Sequence, residues 1–290
     1  MVSPFMADPE KVSAIRQLLP ATGAGIYLNA GTSGPIPAES HRAMEEQAGR
    51  ELAVGRASVA DFPLVLERMA ECRASIAAIL VADPDDIALT HSTTDGMNQA
   101  LNALRWEPGD RAITTTHEHP GALGPLMSLR ARAGIELDWV DIGDGGDEVA
   151  VLAAFERALQ RPAKAVVLSH VLWTTGAVLP VARIAALARA AGAAVIVDGA
   201  QSAGAIPVSV EELGVDAYAV PGQKWLLGPE GMGALWARRE WADSVIPAST
   251  GYISYASFDP AAPTLHPGAR RFEFGFFHRP SVAGLARSAG

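Results

Sequence analysis

The stretch that decides the fold is residues 194–233, AVIVDGAQSAGAIPVSVEELGVDAYAVPGQKWLLGPEGMG. It opens with an apolar, β-branched run, Val195 to Val197, that stops at Asp198. A strand buried on both faces reads this way, with the acid at its carboxyl end. A second short run, Tyr218 to Val220, leads into Pro221-Gly-Gln-Lys224-Trp225, so Lys224 also falls just past a strand end. Open α/β sheets bind ligands along the carboxyl edge of their strands. An acid and a lysine brought to one such edge suit pyridoxal 5'-phosphate: the amine forms a Schiff base with the aldehyde, and the carboxylate keeps the pyridine nitrogen protonated. Taken singly, an Asp at a strand end is a turn residue and a lone Lys is solvated surface, so the pairing carries the signal.

Outward from this stretch the chain alternates strands and helices. Upstream, Ala165 to Leu168 reads as a buried strand, and Pro180 starts a helix with Val181, Ile184, Leu187 and Ala191 inward and Gly192 as its cap. Ile135 to Val140 reads as a strand, 141–147 as a polar turn, and Glu148 to Gln160 as a helix with Val151, Leu152, Phe155 and Leu159 on one side. Arg111 to Thr116 and Ile87 to Thr90 make two further strands. Between Phe62 and Leu80, the positions Val65, Met69, Cys72, Ile76 and Ile79 share one helical face, which places Cys72 in the core. A short strand is expected at Ile26 to Leu28, ahead of the Gly- and Pro-rich loop from Asn29 to Pro37. Downstream, Gly231 to Ala237 reads as a strand and 251–268 as an irregular segment. The repeating strand–helix order predicts a mostly parallel sheet covered on both faces.

With 49% apolar and 19% charged residues, the 290-residue chain has the composition of a folded protein with a large core. A net charge of −9 disfavours nucleic acid and anionic membrane as partners, because both attract basic surface. The single cysteine excludes an internal disulfide and a Cys-rich zinc site. His117 and His119, one apart, lack a further ligand set, so no metal is expected. The uncharged stretch from Ala165 to Ala182 is broken by polar residues, Gly176 and Pro180, and the amino terminus lacks an apolar signal core. Both points lead to the expectation of a cytoplasmic protein with no membrane partner.

Ser92, followed three places later by Asp95, forms a capping-box pattern at the start of a helix carrying Met97, Leu101 and Leu104. Such a helix start also offers N–H groups and a favourable dipole to a phosphate.

The segments Asp198-Gly-Ala-Gln201 and Pro221-Gly-Gln-Lys224-Trp-Leu-Leu-Gly-Pro229 resemble those of the class V aminotransferase family. Its members are fold type I enzymes dependent on pyridoxal 5'-phosphate, among them cysteine desulfurases, cystine C–S lyases and isopenicillin N epimerase-like proteins. The resemblance runs from about Tyr27 to Leu285. It implies an α/β architecture, a three-layer, mostly parallel seven-stranded sheet flanked by helices, with an incomplete small α+β domain. The expected division is a lead-in over 1–25, a large cofactor domain over 26–255 and the start of a small domain over 256–290, truncated at Gly290.

By the same resemblance, Lys224 is the attachment lysine and proton carrier, and Asp198 holds the pyridine nitrogen. His119 stacks on one face of the ring with Ala200 under the other, and Gln201 bonds the phenolic oxygen. Thr93 and Thr94 hold the phosphate, with Thr94 favoured. Gln223 stands next to the lysine where desulfurases carry histidine, Pro221 where they carry serine, and Trp173 where they carry a cofactor-binding asparagine. That bond is then left to Thr174 or Thr175. Arg270-Arg-Phe-Glu-Phe-Gly275 resembles a segment that approaches the partner's site in a homodimer, with Phe276 in place of a phosphate-binding threonine. The implied activity is on an amino acid, desulfurase- or C–S lyase-like. The alternatives are an aminotransferase or epimerase using the same residues, and a catalytically impaired form of the fold. Family desulfurases use a mobile cysteine, a role that the core position of Cys72 does not suit.

Overall fold

Short strands of four or five residues form the centre of the molecule, with helices packed against both faces. The computed structural model describes residues 8–57 and 61–290, so the first seven residues of the expected lead-in lie outside the described part. In chain order the elements are α1 (Pro9–Leu18), α2 (Ala38–Val54), α3 (Asp61–Leu80), β1 (Ile87–Thr90), α4 (Thr93–Ala103), β2 (Arg111–Thr115), α5 (Pro120–Ala133) and β3 (Glu136–Val140). There follow α6 (Glu148–Ala158), β4 (Ala165–Ser169), α7 (Val181–Ala190), β5 (Ala194–Asp198), α8 (Val210–Leu213), β6 (Ala217–Pro221) and β7 (Gly233–Ala237). The last are α9 (Arg239–Ser244), β8 (Tyr255–Ser257), β9 (Thr264–Leu265) and α10 (Arg279–Ala289).

Seven strands form one sheet in the order β1-β7-β6-β5-β4-β2-β3, parallel except for β7, which runs antiparallel to both its neighbours. The three-layer, mostly parallel architecture expected from the sequence is therefore present. Its strands alternate between two cores. Val166 and Leu168 of β4, Val195 and Val197 of β5, and Tyr218 and Val220 of β6 face the layer containing α3, α6 and α7. Val167, Ile196, Ala217 and Ala219 face the layer containing α4, α5 and α9. Both faces are thus withdrawn from water, and each fully buried Val, Leu or Ile contributes about 1.5–3 kcal/mol. On the second face β6 carries only alanines because α4 lies close: a Cβ added at Gly96 would stand 2.9 Å from the Cβ of Ala219.

The arrangement directs the carboxyl ends of β1, β2, β4, β5 and β6 to one edge of the sheet, since all five strands run the same way. Ser169 and Asp198 sit opposite each other in the β4–β5 register at that edge. Behind the sheet, Arg73 of α3 donates to Glu273 at 3.0 and 3.2 Å, and the Leu89 N–H donates to the same carboxylate at 2.9 Å. This buried charge pair ties α3 and β1 to the segment before α10. Charge and amide hydrogen bond together satisfy a carboxylate that would otherwise be costly to bury.

Three expectations are corrected. Ile26 to Leu28 is not a strand: it belongs to no sheet, and Ile26 and Leu28 are 90% and 89% exposed, so apolar side chains alone did not secure a pairing edge. Ala191 faces solvent, and Ala185 and Ala188 take the inward positions, because α7 ends at Ala190 and its cap turns away. The segment 251–268 contains the small ribbon β8–β9, with Tyr255 paired to Leu265, where proline content suggested only irregular chain.

Candidate active site

Asp198 ends β5 as a side chain 3% exposed, and its Oδ1 accepts the Ala200 N–H at 2.8 Å. The turn Asp198-Gly199-Ala200 folds back over this carboxylate. Burial raises the Asp198 pKa, opposed by the Ala200 hydrogen bond and by the facing charges of Lys224 and His119. Lys224 follows β6 and is half-buried, and among the described residues its amine makes no ion pair. Burial lowers its pKa, against the pull of Asp198. The acid and the amine of the sequence reading therefore stand at one sheet edge within electrostatic reach.

His119 caps the start of α5, where its Nδ1 accepts the Gly121 N–H at 2.9 Å. In the neutral ring the proton is thereby placed on Nε2. Burial lowers its pKa, Lys224 lowers it further, and Asp198 opposes the shift. Trp173 stands edge-on to this ring with centroids 5.3 Å apart. Ala200 is buried beside Asp198.

At the start of α4, Ser92 caps the helix by accepting the Asp95 N–H at 3.1 Å. The Asp95 carboxylate takes the His91 N–H at 2.9 Å, so the capping box is not reciprocal: the acid reaches one residue further back than the expected pattern. Thr93 is buried, and its Oγ1 has no hydrogen-bond partner. Thr94 is exposed, with its Oγ1 directed toward Gly121: a Cβ there would lie 2.6 Å from it and 3.0 Å from His119 Nδ1. Gly121 thus allows the starts of α4 and α5 to meet.

The side chain of Gln201 is held at both ends, its Nε2 donating to the Gly31 carbonyl at 2.9 Å and its Oε1 accepting from Trp225 Nε1 at 2.8 Å. One amide hydrogen remains to donate elsewhere. Gln223 contributes its carbonyl to Gly34 N–H at 2.7 Å, which fastens the loop after Leu28 against the lysine segment. Thr174 Oγ1 lies 2.8 Å from His117 Nδ1, and Thr175 Oγ1 donates to the Asp144 carbonyl at 2.9 Å, so each already has a partner within the fold. Arg271 and Glu273 of the Arg-Phe-Glu segment are buried in ion pairs with Asp243 and Arg73, and Phe276 packs edge-on to Phe62 and Tyr252.

The sequence reading missed a second group of buried polar residues beneath the edge. Glu118 accepts from Thr115 Oγ1 at 2.6 Å and Ser169 Oγ at 2.5 Å. Tyr218 OH lies 2.8 Å from His170 Nδ1 and also meets the Ser202 hydroxyl. Burial drives the Glu118 pKa up to about 7 and the His170 pKa down to about 4. No spacing rule links these residues, since each pair is separated by 3 to 51 positions in sequence.

The residues present fit pyridoxal 5'-phosphate on three counts: a buried carboxylate, an amine within electrostatic reach of it, and a helix start with the orphaned hydroxyl of Thr93. Among the described residues no group of three or more His, Cys, Asp or Glu gathers in metal-binding geometry, and no helix is long and apolar enough to cross a membrane.

A family model described as Aminotransferase class-V matches residues 26–289. The protein named "Probable cysteine desulfurase 2" of Mycobacterium leprae (strain TN) is 34% identical over 226 residues, which covers 75% of this chain and 53% of the relative. The isopenicillin N epimerase of Streptomyces clavuligerus is 30% identical over 213 residues, 72% of this chain and 52% of that protein. The chain thus spans about half the length of these two curated relatives. The solved structure of the cystine C–S lyase C-DES with its reaction product cysteine persulfide superimposes with a TM-score of 0.87 at 32% identity, covering 93% of this chain and 72% of that one.

Proposed function

Because the chain belongs to the class V aminotransferase family, we propose that it binds pyridoxal 5'-phosphate at Lys224 and acts on a sulfur-containing amino acid, cleaving a carbon–sulfur bond. The observation that carries this is the Asp198–Lys224 relationship, a buried carboxylate and a half-buried amine that shift each other's ionisation at the carboxyl edge of β5 and β6. The likeness to C-DES supports the choice of reaction.

When bound, the cofactor supplies an aldehyde for covalent attachment and an electron-poor ring that accepts the electron pair left when a substrate Cα–H bond breaks. The protein's part is positional and electrostatic. The lowered pKa of Lys224 favours the neutral amine, which is the form that attacks an aldehyde and later takes a proton from substrate Cα. Asp198, kept from water, would hold a proton on the ring nitrogen. His119 and Ala200 would flank the ring, and the start of α4, with Thr93 and Thr94, would hold the phosphate. Gln201 would offer its remaining amide hydrogen to the phenolic oxygen, and Gln223 braces the lysine segment through Gly34. Cys72 takes no part as sulfur acceptor, because it is buried in α3 with its thiol pKa pushed up to about 12.

An epimerase or aminotransferase reading is supported by the likeness to isopenicillin N epimerase. It uses the same residues and differs in where the proton is returned. We further read 26–255 as the large domain and 256–290 as part of a small one, in a cytoplasmic homodimer.

The test is borohydride reduction of the chain incubated with pyridoxal 5'-phosphate, followed by peptide mapping. The label is expected on Lys224 and absent from Lys224→Ala; a label elsewhere overturns the cofactor assignment. Incubation of the unreduced, cofactor-loaded protein with cystine then separates the reactions, since β-elimination releases cysteine persulfide, pyruvate and ammonia, desulfuration of cysteine leaves alanine, and epimerisation releases none of these.

A further inference from the structure

Glu118 is a carboxylic acid 3% exposed, and the function proposed above gives it no role. It lies at the same sheet edge as Asp198. Thr115 at the end of β2 donates to one of its oxygens at 2.6 Å, and Ser169 at the end of β4 donates to the other at 2.5 Å. Ser169 is the residue paired with Asp198 in the β4–β5 register. The serine that binds one buried carboxyl group is thus the strand neighbour of the other.

Their surroundings differ in one respect. Asp198 faces Lys224 and His119 and receives a backbone N–H from Ala200. Glu118 has the hydroxyls of Thr115 and Ser169 as partners, and the charged group acting on it is Asp198. The other titratable groups nearby in sequence or on the neighbouring strand end are turned elsewhere: His117 to Thr174, His119 to Gly121 and His170 to Tyr218. Among the described residues no Lys or Arg makes an ion pair with Glu118. Two carboxylates confined together repel, and the proton settles on the one without a cation.

We propose that Glu118 and Asp198 form a linked carboxyl pair in which Glu118 holds the exchangeable proton, donating it when neutral to the hydroxyl of Thr115 or Ser169, and Asp198 holds the charge, making Glu118 a positioning residue that sets the ionisation of Asp198. Burial raises the Glu118 pKa to about 7, and Asp198 adds to the rise, against the Ser169 and Thr115 hydrogen bonds, which favour the charged form. By reciprocity, ionisation of Glu118 weakens the hold of Asp198 on its own charge. The linkage is a property of the protein itself; its use in holding a protonated pyridine rests on the cofactor reading above.

The experiment is a carboxyl-carbon NMR titration of the full chain labelled at Asp and Glu, with no cofactor added, using Asp198→Asn and Glu118→Gln for assignment. One glutamate is expected to titrate near neutrality, and the Asp198 signal is expected to show an inflection at the same pH that is absent in Glu118→Gln. An Asp198 signal that does not respond where Glu118 titrates overturns the proposal. Should Glu118→Gln fail to fold, the coincidence of the two inflections in the wild type, with Asp198 identified by Asp198→Asn, decides the matter.

A second readout uses the protein loaded with pyridoxal 5'-phosphate. The pH midpoint of its visible absorbance is expected to shift to lower pH in Glu118→Gln, where a nearby negative charge is lost, and to return toward the wild-type value in Glu118→Asp. A purely structural role would leave the midpoint unmoved, and equal midpoints count against the proposal. Absence of any visible band in the wild type overturns the cofactor reading instead, and leaves the NMR result to judge the carboxyl pair.

Discussion

Tyr218 lies directly beneath Gly199: a Cβ added to this glycine would stand 2.7 Å from Cζ and 2.9 Å from Cδ1 of the tyrosine ring. The ring's hydroxyl is held by His170 and Ser202, so it cannot swing aside without breaking buried hydrogen bonds. The glycine after Asp198 is therefore required by the residue one strand over, and the Asp198-Gly199-Ala200 turn rests on that ring.

Gly199→Ala is accordingly expected to destabilise the fold by about 1–3 kcal/mol, the range for forcing extra volume into a packed interior. Because the displaced segment carries Asp198, affinity for pyridoxal 5'-phosphate should fall as well. Denaturant unfolding and equilibrium binding check the two effects, and a variant that matches the wild type in both would show that the turn can move independently of Tyr218.

The pH dependence of stability should carry two opposite contributions. Glu118 has a folded pKa raised from 4.5 to about 7, so its burial costs nothing below 4.5 and a growing amount as pH rises to 7. His170 has a folded pKa lowered from 6.5 to about 4, so its contribution is intact above 6.5 and is lost as pH falls toward 4. Replacing Glu118 by Gln should therefore leave acid stability near pH 4.5 little changed and raise stability above pH 7 relative to the wild type, by up to ~3 kcal/mol on the linkage relation. Unfolding free energies of the two proteins at several pH values measure it. A difference that does not grow between pH 4.5 and 7 contradicts the raised pKa.

Cys72 should be silent toward thiol reagents while the protein is folded. It is fully buried on the inner face of α3, and burial pushes its thiol pKa up to about 12, which leaves almost no thiolate at neutral pH. Cys72→Ala is expected to lose about 1–2 kcal/mol of stability from the small cavity it leaves and to keep any sulfur-releasing activity. Measured alkylation rates and turnover test both statements. Lost turnover in a variant whose fold and cofactor binding survive would return Cys72 to the list of reacting groups.

Local pattern determined a large part of this protein. Val195–Val197 and Tyr218–Val220 are short, apolar and β-branched or aromatic, which suffices to define buried strands, and the helical spacing of Val65, Met69, Cys72 and Ile76 defines the inner face of α3. The ends of those strands then locate Asp198 and Lys224, because parallel connectivity leaves their carboxyl ends at one edge. Where the pattern had no partner to meet, it failed: Ile26–Leu28 has strand composition but no neighbouring edge, and β8–β9 pair despite a proline-rich connection. Only the tertiary structure decided the clamp of Glu118 between Thr115 and Ser169, the seat of Tyr218 between His170 and Ser202, and the capture of Gln201 by Gly31 and Trp225. Those contacts join residues up to 170 positions apart, and a buried hydrogen bond depends on where two strand ends come to lie, which no periodicity in either strand encodes.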